Sequence, residues 1–139
     1  MIEYYKGDYK YLLRSPASYA TGIVNEGFQL PFCWIAPDGV LDIADGYAWD
    51  GPSGITIDTK SFMRGSLIHD ALYQLLRETG LGLGHNRHDI RRHQADLVLR
   101  DICLEDGMWV WRAKWVYRGV RLGGGPSAET KARKVYTAP

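Results

Sequence analysis

Near residue 60 the hydrophobic pattern of this chain changes period, and that change limits the possible folds more than any single motif does. Before it, Tyr9 to Leu13, Ser18 to Ile23 and Phe32 to Ile35 are short runs rich in aromatic and β-branched residues, separated by Pro, Gly and Asn. Such runs predict short strands. Within Trp34 to Ile43, Pro37-Asp38-Gly39 stands between two apolar runs, which is the turn chemistry of a hairpin. Tyr47 to Trp49 predicts a further strand, and Asp50-Gly51-Pro52-Ser53-Gly54 after it is too rich in Gly and Pro for anything but a loop.

After the change the spacing is helical. Phe62, Ile68, Leu72, Leu75 and Leu76 predict a helix over Ser61 to Thr79, with Asp58 or Thr59 as its cap. Gly80 to Gly84 reads as a flexible link. Ile90, Leu97, Val98, Ile102 and Leu104 predict a second helix over Arg87 to Glu105, ended by Gly107. A third, Met108 to Val120, carries Trp109, Trp111, Trp115 and Tyr117 before Gly123-Gly124-Gly125-Pro126 stops it. The predicted fold is therefore α+β, with N-terminal antiparallel strands and hairpins, then an antiparallel helix pair, then a Trp-rich helix. We expect one domain over 1–122 and a basic tail over 123–139; no internal repeat or low-complexity segment interrupts them.

A chain of 139 residues with 45% hydrophobic and 24% charged residues has the composition of a self-sufficient globular domain. Its net charge of +1 argues against generic nucleic-acid binding, which needs a surplus of Lys and Arg. The charge is uneven, however: from Met108 onward seven basic residues face one acid, Glu129. Cys33 and Cys103 are far apart and lack metal-ligand spacing, so neither a disulfide framework nor a zinc site is expected, and a reducing compartment fits. The N-terminal MIEYYKGDYK has no apolar signal region and no apolar run approaches the roughly 18 residues of a membrane span. We expect synthesis in a cytoplasm, with any release depending on lysis or assembly.

The chemistry-bearing residues lie on the first two predicted helices. His69 and Tyr73 are four residues apart and share a face, whereas Asp70 points about a hundred degrees away. Asp96, with Arg92, Leu99, Arg100 and Cys103 around it at helical spacing, sits at the margin of an apolar surface. If the helices run antiparallel, Asp96 approaches the His69 imidazole and orients it. A histidine held by a carboxylate is a general base, and a carboxylate beside a glycine-rich loop suits a hard cation. The same residues also fit a buried His-Asp-Tyr network that only fixes helix packing, and both readings stay open.

Tyr47-Ala48-Trp49-Asp50-Gly51-Pro52-Ser53-Gly54, His69-Asp70-Ala71-Leu72-Tyr73 and Ala95-Asp96 together resemble a phage- and prophage-borne family known as a domain of unknown function, of the DUF1353 type. That resemblance spans Gly46 to Asp101 and implies a viral origin without implying an activity. His69-Asp70-x-x-Tyr73 also resembles the His-Asp-x-x-Tyr helix of secretory phospholipases of the A class. The second resemblance implies that His69 is the base, Asp70 a calcium ligand and Asp96 the orienting acid, with Tyr73 beside them. Gly51 and Gly54 would then supply backbone carbonyls to the ion; apart from the resemblance, Asp50 and Asp58 are candidate further ligands by their placement near the site. The chain departs from that family in lacking the flanking half-cystines and the usual aromatic-glycine loop pattern.

These resemblances imply a phage-encoded hydrolase, calcium-assisted, acting on lipid of the host envelope. The alternative is a non-enzymatic phage component, in the virion or bound to a host protein. Other residues have plainer readings. Asp50 suits a turn as well as a metal site, and Asp58 a helix cap. His85, His88 and His93 read as a solvated histidine-rich segment. Lys114, Arg118 and Arg121 form a stripe beside Trp111 and Trp115, a surface suited to peripheral contact with an anionic membrane. Tryptophans that cap a small core are the commoner outcome, and Trp109, Val116 and Val120 are expected to pack inward.

Overall fold

The computed structural model of the chain describes residues 2–6, 11–49, 60–79 and 87–124. Seven short strands precede three helices. The strands are β1 (Tyr4–Lys6), β2 (Tyr11–Leu13), β3 (Ala17–Ala20), β4 (Phe28–Gln29), β5 (Cys33–Ile35), β6 (Val40–Ile43) and β7 (Ala48–Trp49). The helices are α1 (Lys60–Glu78), α2 (Arg87–Glu105) and α3 (Val110–Gly123). The fold is α+β, as expected from the change of period.

All strand pairs are antiparallel and fall into two small sheets, ordered β1-β2-β7 and β3-β6-β5-β4. The β5–β6 hairpin turns where Pro37-Asp38-Gly39 predicted. Gly39 has φ +89°, its N–H donates to Ala36 O at 2.9 Å, and Asp38 Oδ1 accepts from Val40 N at 3.0 Å. A side chain there would also strike backbone atoms of Gly22 and Ile23 at 3.3 Å, so the position needs glycine twice over. Alternation along β5 and β6 turns Cys33, Ile35, Leu41 and Ile43 inward and leaves Trp34 outside.

Helix α1 is the centre of the molecule. Twelve of its residues, from Phe62 to Leu76, are buried, because the sheets cover one side and α2 the other. Leu67, Ile68, Leu72, Leu75 and Leu76 join Leu13, Ile35, Leu41, Ile43 and Trp49 in the main cluster, with Ala95, Val98 and Ile102 of α2. A second cluster, Phe62, Leu99, Cys103, Met108, Ala113 and Val116, fastens α3. Contacts between α1 and α2 run in opposite chain directions: Arg64 meets Glu105 and Asp106, Gly65 faces Leu99 and Cys103, and Tyr73 meets Asp96. The helices are thus antiparallel.

Several sequence expectations need correction. Strands β1 and β4 were not expected, since two or three residues carry too little pattern to be seen without their partners. The strand expected over Ser18 to Ile23 stops at Ala20, where Gly22 (φ +76°) and Asn25 (φ +64°) turn the chain. Ile90 and Leu104 are exposed. At about 100° per residue they lie across the helix from Ala95, Val98, Leu99 and Ile102, the stripe that is buried. Trp109 is exposed rather than packed on the core, because it precedes α3 in extended conformation (φ −63°, ψ 144°) and does not share the phase of Val116 and Val120. Trp111 and Trp115 cap no core either. Helix α3 runs on through Gly123, past the expected end at Val120. The expectations for Tyr9, the Asp50 to Gly54 loop, the Asp58 or Thr59 cap, the Gly80 to Gly84 link, His85 and the tail from 125 onward lie outside the described residues.

Candidate functional site

Gly65 of α1 lies against α2. A Cβ there would stand 3.0 Å from Leu99 Cδ1 and 3.1 Å from Cys103 Sγ, so the bare Cα lets the helices approach this closely without displacing those side chains. One turn later that closeness brings His69 to Asp96. His69 Nε2 lies 2.7 Å from Asp96 Oδ1, and Tyr73 Oη donates to the same oxygen at 2.6 Å. The His69 and Tyr73 rings, stacked by their i, i+4 spacing, have centroids 4.1 Å apart. The other carboxylate oxygen, Oδ2, accepts from Arg121 Nη1 of α3 at 2.8 Å.

Asp96 is wholly buried, while the His69 residue is 7% exposed. Burial alone would raise the Asp96 pKa, but the hydrogen bonds from His69 and Tyr73, the His69 charge and the bond from Arg121 outweigh it and hold the carboxyl below its ordinary value. Asp96 is therefore an anion that accepts only, so His69 presents an N–H at Nε2, and the ring nitrogen left to hold a lone pair is Nδ1. Burial, and then the hydrogen bond to this anion, push the Tyr73 phenol pKa well up, so Tyr73 stays a donor.

The closing side of the site comes from α3. Arg92 of α2 donates through Nη2 to the carbonyls of Val120 and Arg121, both at 2.9 Å, in the last turn of α3, where Val120 O also accepts from Gly124 N. A Cβ on Gly124 would lie 2.7 Å from Tyr73 Oη, so the end of α3 rests on the tyrosine hydroxyl. Arg121 and Arg92 were not assigned to the site from sequence. The sequence groups Arg121 with Lys114 and Arg118, yet it lies on the flank of α3 next to the inward stripe of Ala113, Val116 and the partly buried Val120. That phase is the one signal that would have separated it.

Among the other residues singled out, Asp70 is half-buried beside His69; burial, and then the Asp70 charge, push up the pKa of Tyr47, whose hydroxyl donates to Gln74 Oε1 at 3.0 Å. Trp49 Nε1 donates to Ser66 Oγ at 3.1 Å, one turn before His69. Arg100 turns away from Asp96, to Asp101 and over the Tyr117 ring. His93 bonds the Tyr117 hydroxyl at 2.8 Å. Asp50, Gly51 and Gly54 lie outside the described residues. Among the described residues no group of three or more His, Cys, Asp or Glu side chains stands together as a metal site. Asp70 is one carboxylate where calcium needs six to eight oxygens, so the described donors do not by themselves make such a site.

A family model described as "Protein of unknown function (DUF1353)" matches residues 31–120. The chain belongs to the DUF1353 family. The matched region runs from β5 into α3 and includes His69, Asp70, Tyr73, Arg92 and Asp96; Arg121 falls one residue beyond it. Comparisons with curated proteins and with solved structures gave no match for this DUF1353 chain. No helix among its described residues is long and apolar enough to cross a membrane.

Proposed function

We propose that this DUF1353 protein is a phage-encoded hydrolase that cleaves ester bonds in lipid of the host envelope, with His69 as general base. The observation that carries the reading is the 2.7 Å contact between His69 Nε2 and the Asp96 carboxylate. It fixes the ring and leaves Nδ1 as the basic nitrogen. In the proposed reaction Nδ1 takes a proton from water as the water oxygen bonds to the ester carbonyl carbon. The tetrahedral intermediate then expels the alkoxide, which receives that proton from His69, giving an acid and an alcohol. Asp96 stabilises the transient imidazolium, and Tyr73 holds Asp96 in place. The viral origin and the lipid substrate draw support from the resemblances of the loop and His-Asp-x-x-Tyr segments.

The reading assigns calcium to Asp70, with Asp50 and the carbonyls of Gly51 and Gly54, and the proton transfer at His69 is derived without it. Calorimetric calcium titration paired with a fatty-acid release assay tests both parts. Asp70→Asn is expected to abolish calcium binding and hydrolysis, whereas His69→Gln keeps the first and loses the second.

The low exposure of the His69 ring favours a second reading, in which the chain is a non-enzymatic phage component, in the virion or bound to a host protein, and the network only locks α1 to α2. That reading wins if the unmutated protein neither binds calcium nor releases fatty acid while both variants lose folding stability. Synthesis in the host cytoplasm belongs to both readings, and incorporation in the virion to the second.

A further inference from the structure

Helix α3 has two apolar sides. Ala113, Val116 and Val120 face the core, which is the single stripe a surface helix needs. On the far side Trp111, Trp115, Arg118 and Leu122 follow one another at i, i+4, i+7 and i+11, and all are exposed: 64% for Trp111, 52% for Trp115 and 90% for Leu122. Trp109, 71% exposed, extends the patch and meets Trp111 edge to face at 6.2 Å between ring centroids. Between the indoles the surface dips into a shallow pocket lined by Trp111, Lys114, Trp115 and Arg118. No acidic residue occurs from 108 to 128.

We infer that this outward face of α3, with Trp109, Trp111, Trp115 and Leu122 interleaved with Lys114 and Arg118, is a docking surface for an anionic lipid bilayer. Apolar side chains this exposed call for a covering surface. Indoles bury their rings at the acyl boundary while the N–H stays among polar headgroups, and Lys and Arg extend their charges outward to lipid phosphates. The pocket is lined by two cations, Lys114 and Arg118, the charge a headgroup phosphate would pair with. A second copy of the chain is disfavoured as the occupant, because a two-fold contact would bring both copies' Lys114 and Arg118 into one interface to which residues 108–128 contribute no acid. The chain's own tail carries Lys131, Arg133 and Lys134, of the same sign as Lys114 and Arg118, and so lacks the charge complementarity of an anionic surface. The inference stands on α3 alone and does not rest on chemistry at His69.

Vesicle co-sedimentation of the full chain, with tryptophan emission read in parallel, tests it. We expect binding to phosphatidylcholine/phosphatidylglycerol vesicles with a blue shift, and little binding to phosphatidylcholine alone. Lys114→Gln with Arg118→Gln should weaken binding roughly twenty-five-fold, about fivefold for each cation in contact with the surface. Trp111→Ser with Trp115→Ser should remove the blue shift, with thermal melts confirming that both double variants fold. His69→Gln should bind as the unmutated protein does, so a failure of the hydrolase reading is told apart from a failure here. Equal binding by the unmutated protein and both double variants overturns the inference. So does an absence of vesicle binding, whether or not sedimentation shows a dimer that the tryptophan variant loses.

Discussion

The α1–α2 crossing and the outer side of α3 invert the ordinary arrangement in opposite senses. At the crossing a charged carboxylate is wholly buried, whereas on α3 three tryptophans and a leucine stand in solvent. The buried anion is tolerated because each oxygen is occupied: Oδ1 accepts from His69 and Tyr73, and Oδ2 from Arg121. The exposed indoles have no comparable compensation among the described residues. A polar anomaly inside a fold can be satisfied by the fold itself, but an apolar anomaly outside it needs something else. Arg121 joins the two regions, since it leaves the same helix that carries the tryptophans and ends on the buried carboxylate.

The largest expected effect comes from removing the centre of the crossing. Asp96→Ala strands the His69, Tyr73 and Arg121 donors and should cost about 3–5 kcal/mol in urea unfolding. Acid acts on the same group. Its folded pKa is lowered, so its contribution is complete above the unfolded carboxyl value near 3.9 and is lost as pH falls below that through the folded value. The unmutated protein should therefore lose stability across that acid range more steeply than Asp96→Ala does. Parallel acid titrations of the two proteins would show the network to be energetically idle.

Two glycines sharpen the contrast with smaller effects. Alanine usually stabilises a helix interior by about 1 kcal/mol over glycine. At Gly119 of α3 an added Cβ meets nothing within 4 Å, so Gly119→Ala should realise most of that gain. At Gly65 the same methyl presses on Leu99 and Cys103, and overpacking of about 1–3 kcal/mol reverses the sign. Melting temperatures moving in opposite directions are the expected result, and a gain at Gly65 would mean the crossing is looser than its distances imply.

How much of this was readable beforehand follows from which contacts are local. The bounds of α1 nearly followed from helical periodicity, and the β5–β6 turn from Pro37-Asp38-Gly39, because each is decided within a few residues; the bounds of α2 agree although Ile90 and Leu104, counted in its pattern, face outward. The pairing of Tyr11 and Leu12 with Ala48 and Trp49 is not, since nothing in either two-residue stretch names its partner. At the site, His69 and Tyr73 were visible as an i, i+4 pair, and Asp96 as a carboxylate on an apolar margin. Arg121 was hidden because its role depends on how α3 lies across α2.

The smallest expected effect belongs to the tryptophans, and it bears on the other side of the comparison. Exposed side chains that touch little contribute little, so Trp111→Ser with Trp115→Ser should change unfolding free energy by no more than about 0.5 kcal/mol per site. Core aromatics differ: Trp49, buried and bonded to Ser66, should cost about 3–5 kcal/mol when truncated to alanine. If the double serine variant instead lost several kcal/mol, the indoles would be capping the core after all, and their exposure could not be assigned to a bilayer. A near-neutral result means that two large apolar side chains remain at the surface without serving the fold, which is the condition a docking surface must meet.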